Sequence, residues 1–97
     1  MTRAVDHFAD RLRAAPQSRL QRGAAAEALG LARELALRAQ RLEGAGEGAR
    51  VMPDAGMFAA ADQVTVAAHD LALVLRSEGD LASALALVAE AQQRAGV

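Results

Sequence analysis

Small apolar residues recur every three or four positions along four stretches of this chain, and no stretch alternates convincingly between apolar and polar residues. That spacing matches the 3.6-residue helical turn and not the two-residue repeat of a strand, so the chain can form a core only by packing helices together. Alanine fills 26 positions and leucine 13, while aromatics make up 2% of the chain. Helices faced with alanine approach closely but bury little area per residue. A chain of 97 residues has room for one such core, so residues 1–97 read as a single helical domain. Domains of this size are marginally stable, and dimerisation is a natural remedy.

The predicted elements follow from breakers and caps. The first helix is predicted over Arg3 to Ala15, with Thr2 as cap, a stripe of Val5, Phe8, Leu12 and Ala15, and a stop at Pro16. The second runs from Arg19 to Glu43. Ser18 and Gln21 have capping-box spacing, and Leu20, Ala24, Ala28, Leu31, Leu35 and Leu42 share a face. Leu29 and Leu37 lie off that face and imply a second, smaller contact. Residues 44–53, beginning with Gly44, Gly46 and Gly48, read as a flexible glycine-rich loop. The third helix is predicted from Asp54 or Ala55 to Glu78, with a seam of Met57, Ala61, Val64, Ala68, Leu71 and Leu75. Gly79-Asp80 reads as a tight turn, followed by a fourth helix over Leu81 to Ala95 that ends at Gly96. The short turn predicts that the last two helices are antiparallel neighbours. The expected fold class is therefore all-α: a short N-terminal helix, two long helices and a C-terminal helix.

Charge and composition exclude several activities. The net charge is −1, split between +3 over residues 1–50 (nine Arg, six acids) and −4 over residues 51–97 (two Arg, six acids). Without a basic surplus or stacking aromatics, nucleic acid is not an expected partner. The longest of the uncharged apolar runs, Leu81 to Ala89, has nine residues, half of the roughly 18 needed to span a bilayer. No membrane partner is expected, and the start of the chain has no signal core, so a cytoplasmic protein is the expectation. No cysteine is present, which removes disulfides, thiol catalysis and cysteine-ligated zinc. The glycine run lacks Gly-Lys-Ser/Thr and follows a helix, so it is not a phosphate loop. Asp54, Asp62, Asp70 and Glu78 are eight apart and drift around a helix instead of converging. Asp62 lies two turns from His69, about 10 Å along the axis, too far for contact. His7 reads as an exposed residue. No catalytic set, metal site or cofactor is expected.

Residues 65–97 resemble one tetratricopeptide repeat, a helix-turn-helix unit of about 34 residues. The match is carried by Leu71-Ala72, Leu75, Gly79-Asp80-Leu81, Ala84, Val88 and Ala91. The family's tryptophan, tyrosine and terminal proline positions hold Ala68, Leu75 and Gly96 here. The resemblance implies that Ala72 and Ala84 let the two helices close, and that Val66, His69, Leu73 and Arg76 line a partner-binding groove. A helical wheel independently places those four residues, with Asp62, opposite the core seam. Val66 and Leu73 are too apolar for a solvated face, so the first helix, a second subunit or a ligand is expected to cover them. The chain is also similar in length, alanine content and lack of cysteine to small actinobacterial helical hairpins related to type VII secretion, without their Trp-x-Gly turn.

The function expected from these features is non-enzymatic: a protein-protein interaction or assembly module, forming a homodimer or holding another protein or peptide through Asp62, Val66, His69, Leu73 and Arg76. The alternatives are a small-molecule or metal-binding regulator using His69, or a type VII secretion-related hairpin.

Overall fold

The structure, a computed structural model, describes residues 1–44 and 50–97. Thr2–Ala14 form α1, Gln17–Arg19 a single turn α2, Ala25–Leu42 α3, Ala60–Val74 α4 and Glu78–Ala95 α5. The four long helices make the expected all-α bundle, and no strand occurs among the described residues. Around the bundle α1 packs on α4, α4 on α3, α3 on α5, and α5 returns to α1. Phe8, Leu35, Leu71, Val5, Val64 and Val88 are the largest fully buried side chains, and alanines from all four long helices fill the space between them.

Several boundaries differ from expectation, each for a local reason. Thr2 lies inside α1 and makes no cap; Met1 precedes the helix. Pro16 ends α1 as predicted, with Ala15 extended at ψ 143°. Ser18 makes no capping box, because the chain is already helical at Gln17. The predicted second helix is broken. Between α2 and α3 a wide turn over Leu20–Ala24 contains Gly23 at φ 146°, a conformation reserved for glycine. α3 ends at Leu42, and Gly44 turns left-handed at φ 84°. Gly46, Gly48 and half of the proposed flexible loop, residues 45–49, lie outside the described residues.

The predicted third helix starts five or six residues late. Asp54 instead accepts a bond from the Gly56 amide, 2.8 Å, and Gly56 sits at φ 95°. At the other end Leu75 is extended, and Ser77 caps α5 by accepting the Asp80 amide at 3.0 Å. The Gly79-Asp80 turn is thus a correction: both residues belong to the first turn of α5. The serine offers a side-chain acceptor to an orphan amide, which the glycine cannot.

Helix directions follow from the long-range bonds. Arg13 meets Asp62 while Asp6 meets His69, so α1 and α4 are antiparallel. Arg94 meets Glu27 while Arg38 meets Ser83, so α3 and α5 are antiparallel. The end of α3 lies near the end of α4, since Arg76 reaches the Leu42 carbonyl at 3.2 Å. At the opposite end Ala25, Leu29, Met57 and Ala60 line one cleft. α3 and α4 are therefore parallel, and the chain between them runs back along α3. Gln40 donates to the Arg50 carbonyl and accepts the Arg50 amide. Arg33 donates to the Met52 carbonyl, and Gln63 of α4 to the Pro53 carbonyl. Extended chain gains about 3.3 Å per residue, against 1.5 Å for a helix. The few residues from Arg50 to Met57 therefore suffice for the return.

α4 and α5 run antiparallel but stand diagonally, each packed mainly on α3 and α1. They are not the neighbouring pair that was expected, and Ala72, assigned to the contact between them, is exposed. Nor is the chain a two-helix hairpin of the secretion-related kind.

Two substitution pairs test this backbone. Gly23→Ala meets no atom within 4 Å but must adopt φ 146°, so it should cost about 1–3 kcal/mol. Gly30→Ala, in open space within α3, should raise stability by up to about 1 kcal/mol. Ser77→Ala should lose about 1 kcal/mol with its cap, whereas Gly79→Ala, whose added methyl meets only Ser77 Oγ at 3.8 Å, should be neutral or stabilising. Thermal unfolding followed by circular dichroism at 222 nm reads all four.

Candidate protein-interaction face

At 100° per residue the wheel of α4 puts Val66 and Leu73 about 20° apart, with Asp62 and His69 within about 40° of Leu73. Opposite them Ala61, Val64, Ala68 and Leu71 are buried, as the seam predicted. Met57 and Leu75, the outer members of that seam, lie beyond the helix ends and are half-buried. The outward stripe is not covered. Leu73 is 85% exposed and Val66 55%. α1 flanks the stripe without closing over it.

The polar members face α1. Arg13 Nη2 donates to Asp62 Oδ1 at 2.7 Å, and Arg13 Nη1 reaches Asp10 at 3.3 Å. The bond to Asp62 raises the Arg13 guanidinium above its ordinary pKa, with desolvation opposing and the charges of Asp62 and Asp10 adding. His69 Nε2 lies 3.5 Å from Asp6 Oδ1. These pairs are exposed, so they orient α1 on α4 more than they stabilise it. On the other flank Gln63 holds the returning chain at Pro53.

Arg76 departs from the expected set. It would share the face only if the helix continued, but α4 stops at Val74. Its guanidinium instead satisfies the Leu42 carbonyl at the end of α3. The structure thus brings Asp62, Val66, His69 and Leu73 onto one stripe and removes Arg76 from it. Near the stripe, but outside the helix, stands Phe58, 73% exposed in the turn that leads into α4, four residues before Asp62. Its spacing of four from Asp62 and eight from Val66 is legible in the sequence, although the residue reads there as one more apolar position near a helix start.

Other surfaces offer less. An open cleft of about 510 Å³ between α3 and the return segment is lined mainly by apolar and backbone groups, with Arg33 and Asp54 at its edge. No polar or charged residue is classed as buried among the described residues. No group of three His, Asp or Glu able to hold a metal occurs among them, and no helix is long and apolar enough to cross a membrane.

In the monomeric chain Leu73→Asp should change unfolding free energy by less than about 0.5 kcal/mol, because there the side chain stands in water. Leu71→Asp, two positions away and 1% exposed, should unfold the domain by burying an unpaired charge. Denaturant titrations of the two variants separate the outer stripe from the seam. Comparison with protein-family models, with curated proteins and with solved structures found no match for this chain.

Proposed function

We propose that this chain is a non-enzymatic protein-interaction or assembly module that docks a protein through the outer face of α4. The observation that carries the reading is the exposure of Val66 and Leu73 at the centre of one stripe, bordered by Asp62, His69 and Asp70. An apolar centre with a polar rim is the usual anatomy of a docking patch. Single exposed apolar residues are ordinary on any surface; here three of them, with Phe58, fall on one helix and its entry turn. The second reading, a metal-binding regulator at His69, has Asp6 beside the imidazole and no third ligand among the described residues.

A benzophenone side chain placed at Leu73, in cells producing the protein at native level, tests this function. Illumination should join the chain covalently to a protein, and Val66→Asp in the same chain should reduce that product at least tenfold. The same group at Gln93, exposed on α5, sets the background. Labelling at Leu73 no stronger than at Gln93 would overturn the reading.

A further inference from the structure

We infer that the occupant of this face is a second copy of the chain, docked antiparallel, α4 on α4, about a twofold axis at Val66. The inference rests on the interaction reading above and names its partner. A twofold interface uses the same patch on both subunits, so the patch must complement itself. The stripe Asp62, Val66, His69, Leu73, extended by Phe58 in the entry turn, does so. Phe58 and Leu73 stand eight and seven residues from Val66, and Asp62 and His69 stand four and three. Reversed, the pattern is apolar, polar, apolar, polar, apolar again, with the acid and the imidazole exchanged.

Antiparallel docking therefore sets Phe58 on the partner's Leu73, Asp62 on the partner's His69, and Val66 on the partner's Val66. A parallel pair would set acid on acid and imidazole on imidazole. The polar groups have capacity left for such a contact. Arg13 occupies Asp62 Oδ1 and Asp6 faces His69 Nε2, while Asp62 Oδ2 and His69 Nδ1 have no partner among the described residues. The helical part of the seam, Asp62 to Leu73, is about 16 Å long, 11 residues at 1.5 Å each, and Phe58 lies beyond it in the entry turn. The seam covers three of the five large apolar side chains that stand exposed among the described residues, leaving Val51 and Leu85. Among the described residues nothing covers Val66 and Leu73, since α1 flanks the stripe without closing over it.

Because the chain has no cysteine, single introduced thiols report the register. Under mild oxidation, Val66→Cys should give a disulfide-linked dimer, at twice the 10.1 kDa of the chain. Phe58→Cys and Leu73→Cys should each stay at the background set by Gln93→Cys. The two mixed, one carrying a tag to shift its mass, should cross-link at least tenfold above that background. Light scattering with refractive-index detection, needed in the absence of Trp and Tyr, should show a dimer for the parent chain and a monomer for Val66→Asp. Self-linking of Phe58→Cys or Leu73→Cys would overturn the antiparallel register. A parent chain that is monomeric across a tenfold dilution and forms no linked product above background would overturn self-docking. If Leu73 still photo-labels another protein, the interaction reading survives that failure; if it labels none, both fall.

Discussion

The close approach of α3 and α4 is the contact on which the rest of the molecule is built. Ala28, Ala32 and Ala39 of α3, with Ala60, Ala61, Ala67 and Ala68 of α4, are all buried. Side chains this small let helix backbones approach, and interior packing leaves few voids. Because the two helices are parallel, no short turn can join them. The chain must return the length of α3 before α4 begins, and Arg33 and Gln40 hold that return with side-chain bonds to its backbone. α1 and α5 then close the bundle from the two remaining sides. The positions of the outer stripe and of the cleft beside Met57 follow from this arrangement.

The same arrangement explains why the face on α4 stays open. α4 is held on one side by α3 and on another by α1, and α5 stands across the bundle from it. A conventional hairpin would have placed the last helix against its sequence neighbour. With α5 diagonal, the outward arc of α4 has no helix left to cover it. α1 contributes Arg13 and Asp6 to the margin of that arc, which engages its polar members and leaves the apolar ones in water.

Much of this was legible in the residues. The 3.6-residue period identified four helices, Pro16 and Gly96 ended two of them, and the wheel separated Leu71 from Leu73 correctly. Punctuation was read less well. Gly79 and Ser77 both stood near the last break; the glycine looked like the turn, but the serine hydroxyl supplies the cap. Gly23 falls inside the predicted second helix, and only its φ of 146° reveals the break. Arg76 was assigned to the face by extending a helix that stops two residues earlier. The parallel pairing of α3 and α4 was illegible, because periodicity shows which face of a helix is buried and not which helix it meets or in which direction. Nothing in the spacing of Gln40 and Arg33 marks them as the residues that hold the return.

The crossover also shapes how the chain reaches its fold. Bundles whose sequential helices pair can begin from local hairpins, at low cost in chain entropy. Here the ties between helices join distant residues: Arg13 with Asp62, 49 positions apart; Asp6 with His69, 63 apart; Arg38 with Ser83, 45 apart; Arg94 with Glu27, 67 apart. Each such contact closes a large loop before it contributes anything in return. α4 meets α3 only after the return segment has been laid down, and α5, which follows it in sequence, gives it little help. A small, alanine-rich chain of this topology folds more slowly than its helix content suggests. For as long as it takes, the apolar seam and the outer stripe of α4 are in water together.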